Sequence, residues 1–148
     1  MKNIAIIENI RSVYNVWNII RTADALGRDV RICGYTATPD TNPRVAKTSL
    51  GAEEHVNWKH FPMTESALEE ARRLWYMTLA AEITESSLAL DSFVQEKKPL
   101  AVVFGNEVVG VEPETLKLVD AVVHIPMQWH KESLNVGQSA AIFMRQLR

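Results

Sequence analysis

The chain has 148 residues, 16 Lys and Arg against 18 Asp and Glu (a formal net charge of −2), and 47% apolar residues. That length fits one domain with a real core, and the charge carries no sign of a polybasic nucleic-acid binder. No apolar run approaches a membrane span, Met1–Glu8 is too short in apolar residues for a signal peptide, and the lone cysteine, Cys33, rules out an intramolecular disulfide or a thiolate metal cage, so the expectation is a cytoplasmic protein with Cys33 as a small buried residue.

In chain order, Asn3–Ile7 is short and apolar and predicts a strand. Asn15–Leu26 follows helical spacing, with Val16, Ile19, Ile20 and Ala23 on one face and Gly27 as a stop. Val30–Tyr35 is a second strand, and Asn42–Lys47 reads as a short helix ended by a Leu50-Gly51 turn. His55–Trp58 is a weaker strand candidate. Thr64 is placed to cap a helix running to about Leu74, with Leu68, Ala71 and Trp75 on its inner side. Tyr76–Glu82 and Leu100–Phe104 are strands, the latter apolar throughout as an interior parallel strand is. Pro113 suits the first turn of a short helix. Val122–Ile125 is the last strand, and Asn135–Leu147 is a helix with Val136, Ala140, Phe143 and Leu147 on one stripe. Strands alternating with helices predict an α/β domain, a mostly parallel sheet of about six strands with helices on both faces. Ligand crevices in such sheets lie at the carboxyl ends of the strands, which directs attention to the loops after Ile7, Phe104 and Ile125.

Three segments there carry candidate chemistry. Phe104–Val111 leaves a buried strand with Gly105 and Gly110 allowing close backbone approach and Glu107 between them; it is neither a dinucleotide fingerprint nor a Walker loop, and a plain structural turn explains it equally well. Ile125–Val136 is a long loop running into a helix. Ser133 or Asn135 can cap that helix, or Ser133, Leu134 and Asn135 can offer a hydroxyl, an amide and free N–H groups to a ligand, with Ile125, Met127 and Leu134 as apolar walls. In Asn15–Gly27, Arg21 falls off the apolar stripe, on the face of Trp17, Asn18 and Asp24, where a surface pair with Asp24 is the simple alternative. The basic groups collect toward the two ends of the sequence: residues 1–60 hold eight Lys and Arg against six acids, 61–120 five against eleven, and 121–148 three against one. A local basic face follows if those ends meet in space, and a mixed solvated surface if they do not. The four histidines, His55, His60, His124 and His130, have no ligand-like spacing, so no metal is expected.

Taken together and in this order, Asn15–Gly27, Lys47–Glu53, Phe104–Gly110 and Ile125–Val136 resemble the motifs of the TrmH/SpoU branch of the SPOUT RNA methyltransferases, across essentially the whole chain. The resemblance implies a C-terminal deep trefoil knot, S-adenosylmethionine as cofactor, and methyl transfer to a ribose 2′-hydroxyl of RNA, of tRNA in preference to rRNA because no added RNA-binding domain is apparent. It places Gly105, Gly110, Ile125, Met127 and Leu134, with the strand end at Glu82–Ile83, around the cofactor. It makes Arg21 the catalytic arginine, with Asn15 and Glu107 positioning it and the substrate and Ser133 and Asn135 completing the site. Guanidinium groups stay charged in proteins, so Arg21 is better suited to holding a phosphate and polarising the hydroxyl than to acting as a base. The resemblance also implies a homodimer with a shared active site, the arginine of one subunit facing the cofactor of the other. Trp17 and Trp129 stand where such proteins usually carry glycine, and Trp75 occupies a third such place; either of the first two indoles is able to occlude the pocket or to stack on a base. A non-catalytic binding protein with the same fold is the competing expectation, followed by a plain nucleotide-binding α/β domain or a metal enzyme.

Overall fold

The computed structural model describes residues 1–48 and 50–148; Ser49, inside the Lys47–Glu53 segment, lies outside the described residues, as do the side chains of Val45, Ala46 and Thr48. Among the described residues seven strands form one sheet: β1 (Ile4–Glu8), β2 (Asp29–Cys33), β3 (Trp58–Phe61), β4 (Met77–Ala81), β5 (Leu88–Ala89), β6 (Leu100–Phe104) and β7 (Ala121–His124). Their spatial order is β3-β2-β1-β6-β4-β7-β5 and every pairing is parallel. Five helices surround them: α1 (Val13–Ala25), α2 (Pro43–Thr48), α3 (Thr64–Arg73), α4 (Pro113–Leu118) and α5 (Val136–Gln146).

Side chains alternate across a strand, so a continuously apolar strand feeds two cores. Ala5 and Ile7 of β1, with Val102 and Phe104 of β6, join Val16, Ile19, Ile20 and Ala23 of α1 and Ala140 and Phe143 of α5 on one face. Ile4 and Ile6, with Ala101 and Val103, meet Ala67, Leu68 and Ala71 of α3 on the other. Cys33 belongs to that second core; it is fully buried, and burial pushes its thiol up to about 12, which suits a packing role.

Four expectations change in detail. The sheet has a seventh strand, the two-residue β5, which pairs only with β7. The strand expected at His55–Trp58 begins where that range ends, because Ala52–Glu54 forms a 3-10 turn and the Val56 N–H is still bound to the Ala52 carbonyl at 3.0 Å. Trp75 is not on an inner face. It follows α3 in the left-handed region (φ 67°) with 78% of its surface exposed, while Tyr76 N–H closes back on the Ala71 carbonyl at 3.0 Å. That is the position a glycine commonly fills at a helix end. Thr64 is the first residue of α3, not its cap; Met63 holds the cap position without a side-chain bond.

The path of the C-terminal segment positions the site. β7 lies between β4 and β5, and α5 then returns to pack on α1, with Phe143 edge-on to Phe104 at 5.7 Å between centroids. Its far end is held twice: Gln146 Nε2 donates to the Leu90 carbonyl at 3.2 Å, and the Arg28 guanidinium donates to the carbonyls of Met144 and Leu147 at 2.9 and 2.8 Å. A cation on the last carbonyls of a helix satisfies acceptors that have no partner within it.

Behind α3, buried Arg31 lies 3.5 Å from Glu70, whose other oxygen takes a 2.6 Å bond from Lys59. Burial alone would raise the Glu70 carboxyl, but the Lys59 bond and the charges of Arg31, Lys59 and Arg73 outweigh it and hold Glu70 below its ordinary 4.5. A carboxyl lowered on folding stabilises above its unfolded pKa and loses that contribution as pH falls through the folded one. Glu70→Gln is therefore expected to lower stability at pH 7 by on the order of 1 kcal/mol, the pair being partly solvent-screened. In urea melts, the gap from the parent protein closes below pH 4.5. A gap that stays constant down to pH 3 would show that charge is not what Glu70 contributes.

Candidate active site

The carboxyl ends of β4, β6 and β7 open into a cleft of about 490 Å³. After Phe104 the chain makes a tight hairpin: Asn106 and Gly110 exchange two backbone bonds of 3.0 Å each. Gly105 is where this turn needs glycine for space. A Cβ there would stand 2.3 Å from the backbone of Gly110 and Val111. Gly110 has φ 73°, and a Cβ on it would meet the carboxylate of Glu82 at 2.1 Å. Glu82 in turn accepts from the Val111 N–H at 3.1 Å and the Ile83 N–H at 3.0 Å, fastening the end of β4 to the hairpin.

The opposite wall comes from the loop after β7. Ile125, Met127, Leu134 and Val136 face the cleft with Phe104 and Phe143 behind them, and Ser133 and Asn135 stand at its edge. Asn135 is the cap of α5: its Oδ1 accepts from the N–H groups of Gly137 at 2.8 Å and Gln138 at 3.3 Å, and its Nδ2 donates to Asn15 Oδ1 at 3.1 Å. Capping and site are thus one arrangement, and the cap reading belongs to Asn135 rather than Ser133. Asn15 is buried in α1 and reaches the cleft only through this bond.

Glu107 lines the cleft too, but its carboxylate is committed across the gap to α1. It accepts from the Arg11 N–H at 3.0 and 3.1 Å and from the Ser12 N–H at 3.4 Å, just ahead of the α1 cap formed by Ser12. A carboxylate before a helix N-terminus is electrostatically favoured. Glu107 therefore ties the hairpin to the start of α1 and does not touch Arg21.

Of the ten residues singled out from the sequence, Gly105, Glu107, Gly110, Ile125, Met127, Ser133, Leu134 and Asn135 line one cleft and Asn15 bonds to it. Arg21 does not reach it. It is exposed on α1 with its guanidinium 5.8 Å from the centre of the Trp17 ring, against whose face Tyr14 packs edge-on at 5.3 Å. No ion pair with Asp24 forms among the described residues. Trp129 is 84% exposed beside His130 and lies outside the cleft, so it does not fill it. Asn106 went unremarked in the sequence, though its Oδ1 accepts from the N–H groups of both Val108 and Val109, at 2.8 and 3.0 Å, and so shapes the hairpin. The only cue was its place after Gly105. Among the described residues no three His, Cys, Asp or Glu side chains converge as a metal site would require.

A parallel sheet with an apolar-walled cleft at its carboxyl edge, floored by a glycine hairpin and bounded by a helix start, defines an α/β domain of the kind whose ligand crevices lie at that edge. The model of the SpoU rRNA Methylase family matches residues 2–145, and the chain belongs to that family. It is 30% identical over 140 residues to the tRNA (guanosine(18)-2′-O)-methyltransferase of Thermus thermophilus, covering 94% of this chain and 70% of that protein. It is 28% identical over 144 residues to a protein of Staphylococcus haemolyticus named as a TrmH family tRNA/rRNA methyltransferase, covering 97% of this chain and 57% of the relative. An S-adenosylmethionine-bound rRNA methyltransferase from Sinorhizobium meliloti has the same fold (TM-score 0.89, 23% identity), over 98% of this chain and 55% of that one. The chain thus spans little more than half the length of two of these three relatives.

Proposed function

We propose that the cleft binds S-adenosylmethionine and that the protein transfers its methyl group to a ribose 2′-hydroxyl of RNA, tRNA in preference to rRNA. The observation carrying this reading is the cleft itself. Gly105, where a Cβ would strike the facing backbone, lets the hairpin close tightly as the floor of the cleft, while Ile125, Met127 and Leu134 offer apolar faces to a purine. A volume of about 490 Å³ suits an adenosine-sized molecule. When bound, the sulfonium supplies an already electrophilic methyl group, which leaves the protein to align the acceptor and handle its proton. The tRNA preference leans on the Thermus thermophilus relative, and a cytoplasmic location suits such a substrate. No helix among the described residues is long and apolar enough to cross a membrane.

Gly105, Gly110, Ile125, Met127 and Leu134 are assigned to the cofactor, and Ser133 and Asn135 to the rim where the acceptor arrives. Arg21 is assigned to the acceptor's phosphate and hydroxyl. Because it stands outside the cleft of its own chain, the reading includes a homodimer in which Arg21 serves the partner's cleft, with Glu107 and Asn15 fixing α1 to the pocket that the partner completes. It also includes a deep C-terminal knot. In favour are the seating of β7 between β4 and β5 and the passage of α5 back beside the 82–99 segment, to which Gln146 bonds.

Separate incubations of methyl-labelled S-adenosylmethionine with undermodified bulk tRNA and with undermodified rRNA, each followed by nuclease digestion, are expected to yield labelled 2′-O-methyl nucleosides from the tRNA. Label in rRNA alone would correct the substrate. Calorimetric binding of the cofactor without transfer to either RNA would leave the non-catalytic reading standing instead.

A further inference from the structure

Tyr35 follows β2 at the same sheet edge as the cleft, 64% exposed, yet it is held at both ends. Its N–H donates to Asn9 Oδ1 at 3.2 Å, and its hydroxyl accepts from Asn106 Nδ2 at 2.8 Å. Asn106 is itself buried and fully used: the same nitrogen donates to the Asn9 carbonyl at 2.9 Å, while its Oδ1 takes the Val108 and Val109 N–H groups. Asn9 sits in the left-handed region (φ 51°) against Gly34 (φ 68°), where an added Cβ would fall on the Asn9 amide. Bonds at the backbone N–H and at the hydroxyl thus orient Tyr35 at both ends while its ring stays largely open to solvent, one side chain removed from the pocket hairpin. Among the described residues the hydroxyl's own proton has no acceptor. One residue from the Ile10 N–H bond to Thr36 Oγ1 (2.9 Å) lies Arg11, exposed, its backbone clamped by Glu107 and its guanidinium without a carboxylate partner among the described residues.

We infer that Tyr35 and Arg11 form a nucleotide-docking site beside the cleft: the ring stacks on an unpaired base of the RNA, the free hydroxyl proton and the Arg11 guanidinium meet its backbone. Unstacked bases in RNA are commonly received on aromatic faces, and a face that is already immobile loses little entropy on binding. Here the hydroxyl is anchored and most of the ring is left open to a partner. The inference rests on the proposed RNA substrate and adds where that RNA is gripped.

The test measures two affinities for the parent protein, Tyr35→Ala, Tyr35→Phe and Arg11→Ala: fluorescein-labelled undermodified tRNA by anisotropy, and S-adenosylmethionine by calorimetry. Loss of one stacked base is expected to weaken RNA binding of Tyr35→Ala by roughly tenfold, with Tyr35→Phe, which keeps the ring but loses the hydroxyl's bonds, falling between Tyr35→Ala and the parent. Arg11→Ala is expected to reduce the salt dependence of RNA binding by about one ion, and cofactor affinity to hold throughout. RNA affinity unchanged in Tyr35→Ala overturns the inference and leaves the proposed function intact. A parallel loss of cofactor affinity also overturns it, making Tyr35 a prop for the hairpin. A parent protein that binds cofactor but no RNA defeats the proposed substrate itself.

Discussion

Gly105→Ala is expected to abolish S-adenosylmethionine binding, with a loss of at least about 100-fold in affinity by calorimetry. The cause is space, since an alanine Cβ would stand 2.3 Å from the Gly110 carbonyl carbon and the Val111 nitrogen. Backbone cannot swing aside as a side-chain tip can. The hairpin must open, which breaks the paired bonds between Asn106 and Gly110 and loosens the Glu82 bond to Val111. Overpacking of this kind costs about 1–3 kcal/mol of stability. The control is Gly27→Ala: Gly27 has φ 64° but nothing within 4 Å of the added carbon. That variant is expected to lose about 1 kcal/mol through left-handed strain alone, with cofactor affinity unchanged. Equal cofactor binding by parent and Gly105→Ala would mean that the hairpin is not the cofactor floor.

Mixing two inactive variants is expected to restore activity. Arg21→Ala should lower methyl transfer by roughly 10² to 10³ while leaving cofactor binding alone, the scale of losing one preorganised cation at a reacting centre. Gly105→Ala lacks the pocket but keeps Arg21. If each site draws its arginine from the other subunit, half the dimers in an equal, re-equilibrated mixture are mixed, and each mixed dimer has one intact site. Activity then returns to about a quarter of the parent level. Should the mixture stay as inactive as its components, the shared site is wrong, provided circular dichroism shows both chains folded.

The parts of this molecule that could be read from sequence are those in which one residue type has one reason to be there. Continuous apolar runs such as Leu100–Phe104 mean interior parallel strands, and the α1 stripe Val16, Ile19, Ile20 and Ala23 is buried as its spacing requires. The cleft residues were accessible because glycine at 105 and 110 and apolar residues at 125, 127 and 134 surround one point once the sheet's carboxyl edge is known. β5 was not legible, because two residues carry no periodicity and the pairing with β7 depends on where a distant strand lies. Trp75 misled because helical spacing continues through it, while the backbone leaves the helix one residue earlier. Glu107 and Asn106 were misjudged or missed for a related reason. Their roles are hydrogen bonds to Arg11, Ser12, Asn9 and Tyr35, partners 71 or more positions away that local pattern does not connect.

The return of α5 across the sheet sets the order in which this protein can mature. Phe143 and Ala140 complete the core against α1 and β6, Asn135 locks onto Asn15, and Arg28 waits for the carbonyls of Met144 and Leu147. A ribosome delivers residues 136–147 after every other element described here, so neither the core nor the cleft can close while they are still in the exit tunnel. Until then the part of the α1 and β6 core that Ala140 and Phe143 cover is open. Contacts spanning more than 100 positions make such closure slow relative to helix and hairpin formation. Until that closure the unfinished core is exposed to aggregation or chaperone capture.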